Sequence, residues 1–164
     1  MKIRNAVALV TGANRGIGAA IVDALVAAGA SKVYAAMRNP RDTASNGPVV
    51  PMTLDVTSAA LVADAARRCQ DVRILVNNAG ALTGQPLLGT TELEAAGLEM
   101  QVDFFGILAM CRAFAPVVRG GAIVNVLSIL ARVSVPMSGS YAASKAAAWS
   151  LTQGIRGELS AQNT

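Results

Sequence analysis

Val7-Ala8-Leu9-Val10-Thr11-Gly12-Ala13-Asn14-Arg15-Gly16-Ile17-Gly18 reads as a buried strand, a tight glycine turn and the start of a helix. The aliphatic run suits a parallel strand covered on both faces, and Ala19 to Ala28 has helical spacing. Gly12 lets the chain turn sharply, Gly16 lets backbone approach a bulky anion, and Gly18 lets the helix pack close to the strand. The opening N–H groups and dipole of that helix then face a phosphate, so the stretch is expected to bind a nucleotide. Glycines in a purely structural turn are the plainer alternative.

Composition narrows the frame around this unit. A chain of 164 residues supports one domain with a real core, here residues 1–164 as a single dinucleotide-binding domain. With 53% hydrophobic but only 4% aromatic residues, that core must be Ala, Val and Leu packed closely, as in parallel α/β sheets. The net charge of +4 is carried mostly by scattered Arg without a basic run or interleaved aromatics, which argues against nucleic acid; Arg67 and Arg68 read as a solvated helix face. There is no histidine, which removes imidazole acid/base chemistry and most zinc sites, so no metal is expected. Cys69 and Cys111 lie in apolar helical patterns and read as reduced core thiols of a cytoplasmic protein. No apolar run reaches the roughly 18 residues that span a bilayer.

Along the chain, Lys32 to Met37 reads as a second strand, followed by Arg38. An acidic residue at this place would bind a free ribose 2′-hydroxyl; Arg38, helped by Arg15, suits a 2′-phosphate instead, which favours NADP over NAD unless both are ordinary surface arginines. Asn39 to Pro48 reads as a loop, Val49 to Leu54 as strand three ending at Asp55-Val56, and Ala59 to Cys69 as a helix that Asp55, Thr57 or Ser58 could cap. Strand four is Val72 to Val76, leading into Asn77-Asn78-Ala79-Gly80, which reads either as a well-made turn or as a ribose-side turn made close by Gly80. Thr91-Glu92-Leu93-Glu94 looks like a capping box opening a long helix to about Pro116, with Leu98, Val102, Phe105, Leu108 and Ala109 as its apolar, core-facing or subunit-contact face. Strand five, Ala122 to Leu127, leads to Ser128; a loop with Pro136 and Gly139 follows, where a substrate would lie, and a last helix runs from Tyr141 to about Ala161.

Tyr141 and Lys145 stand four apart on one helix face. A free phenol titrates near 10, too high for a base at neutral pH, but a cation within roughly 4 to 6 Å favours the phenolate, which would fit Tyr141 as general acid/base. Ser128 ends strand five thirteen residues earlier, and its hydroxyl could orient a carbonyl oxygen. Taken alone, such a Tyr/Lys pair is usually an ordinary surface pair.

Together, T-G-x-x-x-G-x-G, N-N-A-G, the serine and Y-x-x-x-K resemble the short-chain dehydrogenase/reductase family, from Ala6 to about Ala161. The resemblance implies a Rossmann-type doubly wound α/β fold in three layers with strand order 3-2-1-4-5. It implies a cofactor site at Thr11, Gly12, Asn14, Arg15, Gly16, Ile17, Gly18, Arg38, Asp55, Val56, Asn77, Ala79 and Gly80, with Asp55-Val56 beside the adenine. It also implies that Tyr141 protonates a carbonyl oxygen, that Ser128 stabilises the developing alkoxide, and that Lys145 assists Tyr141 and binds the nicotinamide ribose, in a carbonyl reductase or alcohol dehydrogenase that forms homo-oligomers.

Two features depart from the family pattern. Where the family carries a catalytic asparagine three residues before a glycine, this chain has Asp103 before Gly106; a carboxylate accepts but cannot donate, and it opposes formation of the phenolate. Family members also continue further, into a sixth strand, a Pro-Gly turn, substrate-covering helices and a seventh strand. The chain therefore reads as the cofactor half, with strand five an exposed edge, and the alternative function is a non-enzymatic nucleotide-binding fragment or a subunit pairing with a full-length relative.

Overall fold

The structure, a computed structural model, describes residues 2–40, 47–88 and 93–164. In chain order its elements are β1 (Val7–Thr11), α1 (Gly16–Ala27), β2 (Lys32–Met37), β3 (Val49–Thr53), α2 (Ala59–Arg68), β4 (Ile74–Asn77), α3 (Glu94–Met100), α4 (Ile107–Phe114), β5 (Ala122–Asn125) and α5 (Gly139–Leu159). The strands form one sheet in the order β3-β2-β1-β4-β5, every pairing parallel, as expected for a Rossmann-type sheet.

Alternation along β1 divides the core. Ala8 and Val10 face α1, where they meet Val22 and Leu25 together with Val33, Ala35, Ile74 and Val76. Leu9 points to the other face, into a cluster with Leu75, Met52, Val62, Met110 and Phe114 from β4, β3, α2 and α4. Both faces of the central strands are therefore covered by helices, which is why β1 and β4 are continuously apolar in sequence. β5 pairs only with β4 among the described residues, and Val124 on it is 46% exposed, so it is the apolar edge that the sequence predicts.

Several boundaries differ from the periodicity. α1 begins at Gly16 rather than Ala19, because the glycine turn itself supplies the first helical residues. β4 begins at Ile74, β5 ends at Asn125, and α5 begins at Gly139 rather than Tyr141. Ser58 is the residue that caps α2, its hydroxyl accepting from the Leu61 N–H at 3.4 Å, whereas Asp55 accepts from Thr57. Residues 41–46 of the expected loop and Thr91 and Glu92 of the expected capping box lie outside the described residues; α3 starts at Glu94.

The long helix differs most. Gln101–Gly106 form a π-helical stretch between α3 and α4, and the buried face carries Glu99, Asp103, Gly106, Ile107, Met110, Cys111 and Phe114. Of the apolar stripe read from the sequence, Val102 and Ala109 pack against the core, whereas Leu98 is 50% and Phe105 47% exposed. Gly106 is needed where the helix crosses the end of β3: a Cβ there would lie 2.7 Å from a methyl carbon of Val56. Gly106→Ala is expected to destabilise the fold by about 1 to 3 kcal/mol through overpacking, read from urea unfolding; an unchanged midpoint would contradict the close crossing.

Candidate functional site

The carboxyl ends of the parallel strands emerge on one side of the sheet, and the site is assembled there. At the end of β1, the buried Thr11 hydroxyl accepts the N–H groups of Asn78 and Ala79, each at 3.0 Å. In return, the Asn78 side-chain amide donates to the carbonyls of Thr11 at 2.9 Å and Gly12 at 3.2 Å. The glycine turn and the N-N-A-G turn thus hold each other in place.

Asn78 is absent from the sequence-derived set, although alternation along a strand already says that adjacent asparagines must point to opposite sides. The Asn77 side chain goes the other way, donating to Asn125 Oδ1 at 2.8 Å and to Cys111 Sγ at 3.5 Å, while Asn125 donates to Thr152 Oγ1 on α5 at 2.9 Å. Asn77 therefore stands in the interior, away from Gly80 and the glycine turn.

The turn fits a phosphate. Gly12 has φ +65, and a Cβ on it would lie 2.9 Å from Ala79 Cα; a Cβ on Gly18 would come within 2.1 Å of the Gly12 carbonyl oxygen, so both close approaches require glycine. Gly16, at φ +55, would meet nothing and opens on free space. The start of α1 has no side-chain cap and no acidic residue in its first turn, which leaves its N–H groups available to an anion from that space. Asn14, Arg15 and Ile17 are all exposed around it. Across the sheet ends, Arg38 is exposed after β2. Asp55 after β3 is held below its ordinary value by the backbone N–H and hydroxyl of Thr57, with the charge of Arg38 adding to the effect. Val56 is buried beneath Gly106.

Past β4 and on α5 the structure brings Asp103, Lys145, Tyr141 and Gly80 together. The Lys145 ammonium lies 3.2 Å from Asp103 Oδ1, with both side chains almost wholly enclosed, and it donates to the Val126 carbonyl at 3.4 Å. It stands 5.5 Å from the centre of the Tyr141 ring. A Cβ on Gly80 would lie 3.0 Å from Asp103 Oδ1 and 3.4 Å from Lys145 Nζ, so only glycine lets the strand end pass this pair. Asp103 also accepts from the Ala81 N–H at 3.2 Å and from the Ser144 hydroxyl at 3.1 Å. Burial pushes its carboxyl above the ordinary value, and the charge and hydrogen bond of Lys145 oppose that rise without cancelling it.

Ser128 lies past β5, where its Oγ accepts the Leu130 N–H at 3.2 Å; this leaves its own proton to donate. The loop after it forms, with α5, a groove of about 310 Å³ lined by Leu130, Arg132, Val133, Gly139, Ala142 and Ala146 among others. Its lining includes none of Ser128, Tyr141 and Lys145.

A family model described as short chain dehydrogenase matches residues 6–163. The chain belongs to this family. Galactitol 2-dehydrogenase of Agrobacterium fabrum is 36% identical over 166 residues, which cover 93% of this chain and 64% of that protein. A short chain dehydrogenase from Burkholderia cenocepacia J2315, solved in complex with NADP, is 48% identical with a TM-score of 0.96, covering 99% of this chain and 70% of that one. A family member from Burkholderia phymatum, solved in complex with NAD, is 28% identical with a TM-score of 0.87, covering 96% and 61%. The chain thus spans about two thirds of the length of these relatives.

The buried pair makes a stability prediction. Asp103→Leu leaves the Lys145 ammonium enclosed without its carboxylate and is expected to cost about 3 to 5 kcal/mol, whereas Asp103→Asn keeps an acceptor oxygen and should cost less than half of that. Urea unfolding of the two variants checks it: a loss below about 1 kcal/mol in Asp103→Leu would mean that Lys145 does not depend on this carboxylate, and equal large losses would mean that an uncharged acceptor cannot stand in for it.

Proposed function

We propose that this short-chain dehydrogenase chain carries the cofactor site and proton-transfer groups of an NADP-dependent oxidoreductase that interconverts a carbonyl and an alcohol. The observation that carries the reading is the enclosed Lys145 ammonium, held between Asp103 and the Val126 carbonyl beside Gly80 and 5.5 Å from the Tyr141 ring. NADPH, when bound, supplies a hydride to the carbonyl carbon. In that reading the Tyr141 hydroxyl gives its proton to the carbonyl oxygen, and in the reverse direction it takes the proton back from the alcohol. The free proton of Ser128 donates to the same oxygen and stabilises its developing charge. Lys145 places a positive charge next to the phenol and a donor next to the ribose, and Asp103 fixes that ammonium in place.

Thr11, Gly12, Asn14, Arg15, Gly16, Ile17 and Gly18 would hold the pyrophosphate side, Asp55 and Val56 the adenine, and the backbone of Ala79 and Gly80 would pass the nicotinamide ribose, with Asn77 turned to the interior behind them. The exposed Arg15 and Arg38, with no acid directly after β2, support NADP, as does the NADP-bound relative; the NAD-bound relative is why this preference needs testing. The exposed Leu98 and Phe105 on α3 and the π stretch supply an apolar surface for a second copy of the chain, supporting a homo-oligomer.

Titration of the purified chain with NADPH and NADH, followed by fluorescence, is expected to give tighter binding of NADPH, with Arg38→Asp weakening NADPH roughly tenfold or more and sparing NADH. No saturable binding would overturn the reading. Binding without any Tyr141-dependent oxidation of NADPH by aldehydes or ketones would favour a nucleotide-binding subunit that works beside a longer relative.

Where turnover is found, Asp103→Asn removes a negative charge beside Lys145 and so should move the acid limb of the pH–rate profile down by about one pH unit. An unmoved limb would mean that Asp103 does not tune the proton transfer.

A further inference from the structure

Glu99 lies one helical turn before Asp103 on the same buried face and is 1% exposed. The proposed reaction makes no use of it. Its Oε1 accepts both the backbone N–H and the hydroxyl of Thr83, each at 2.7 Å, while Oε2 is buried and makes no hydrogen bond of good geometry. Burial works to raise its carboxyl, yet the hydroxyl of Ser140 and the two Thr83 donors outweigh that and hold it below the ordinary value.

Asp103 repeats the arrangement four residues on. Glu99 reaches Thr83 on the segment after β4 and stands beside Ser140 in the first turn of α5; Asp103 reaches Ala81 on the same segment and Ser144, one turn further along α5. The spacings agree on all three elements: 99 and 103 along one helix, 140 and 144 along the other, 81 and 83 along the extended segment between them. A third contact closes the join, since a Cβ on Gly139 would fall 2.3 Å from Leu87 Cδ1, so Leu87 lies directly against the start of α5. A buried carboxylate is costly unless donors meet it: at Asp103 they come from both segments, and at Glu99 they come from Thr83, with the Ser140 hydroxyl beside it and the Leu87–Gly139 contact joining that segment to α5.

We propose that Glu99 is a positioning residue: it ties segment 81–88 to the first turn of α5 and thereby fixes where the Tyr141 hydroxyl stands, without taking part in holding the cofactor. The proposal rests on Tyr141 being the proton-transfer group, but its test does not need turnover. Amide hydrogen exchange is compared in the parent chain, Glu99→Gln and Glu99→Leu, with NADPH titration alongside. Two amides report on the join: Thr83, which donates to Glu99, and Ala142, which donates to the Ser138 carbonyl at 2.8 Å in the first turn of α5.

Glu99→Leu is expected to speed exchange at both amides at least about tenfold while β1 and β4 stay protected, and Glu99→Gln, which keeps an acceptor oxygen, should restore both to within roughly threefold of the parent. NADPH affinity should stay within about threefold in both variants, because the donors of the glycine turn are untouched. If Glu99→Leu does not fold, Thr83→Val is read in its place and should speed the same two amides by about threefold. The proposal is overturned by unchanged protection at Thr83 and Ala142, by a rise spread equally through β1 and β4, or by Glu99→Gln behaving like Glu99→Leu. Failure of the parent to bind NADPH would count against the proposed function and leave the result at these amides to decide the role of Glu99.

Discussion

Every strand pairing in the sheet is parallel, and this constraint gathers the site. Thr11, Met37, Thr53, Asn77 and Asn125 all end their strands on one side, so the turns and helix starts that follow them must share one rim. β1 is paired on both sides, which puts its glycine turn between the segments after β2 and β4. From there a continuous set of contacts leads to α5. Thr11 grips the backbone of Asn78 and Ala79, Gly80 passes the Asp103 carboxylate, and that carboxylate holds Lys145 and Ser144 on the helix bearing Tyr141. A displacement of the glycine turn would therefore be transmitted to Lys145 and the helix bearing Tyr141 through packed, hydrogen-bonded atoms.

The charges of the molecule fall into two kinds. Arg67 and Arg68 pair with Asp64 on the surface of α2, and Lys32 pairs with Asp71 while partly exposed; water and salt screen such pairs, and each contributes little. The Asp103–Lys145 pair is of the other kind. Enclosed as it is, its attraction is strong but is set against the cost of removing both charges from water, which is why burial still raises the Asp103 carboxyl beside an ammonium at 3.2 Å. The remaining nucleophiles are quiet by comparison: burial pushes the thiols of Cys69 and Cys111 up to about 11, so neither is a thiolate at neutral pH. The chain has no histidine, and the Lys145 ammonium stands 5.5 Å from the Tyr141 ring on this rim.

How much of this could be read in advance depends on how local each signal is. The glycine turn, the N-N-A-G turn and the Tyr/Lys pair are each specified within a few consecutive residues, and the strand order follows from the family that those motifs resemble. The long helix is only partly legible: of its apolar stripe, Val102 and Ala109 pack on the core while Leu98 and Phe105 are exposed, and its most buried positions include acidic residues. Hydrophobic periodicity selects Leu98, Val102, Phe105 and Ala109, whereas the structure buries Glu99, Asp103 and Gly106 one position over. Acidic residues on a core face are stable only where donors from elsewhere in the chain converge on them, and those donors, at 81, 83, 140, 144 and 145, are invisible to any local window.

The buried carboxylates identify what the helix does. A helix serving only as packing would turn its Leu98–Phe105 stripe inward and its carboxylates to water, the lower-cost arrangement for an isolated layer. Here the face one position over, carrying Glu99, Asp103 and Gly106, is the most deeply buried, and the π stretch sets Asp103 against Gly80 and Gly106 against Val56, where a plain apolar face could meet neither Lys145 nor the Ala81 N–H. Val102 and Ala109 still pack on the core, so the phase of the helix both completes the polar interior of the site and leaves Leu98 and Phe105 exposed. A substitution that restored ordinary amphipathicity to this helix would be expected to remove both together.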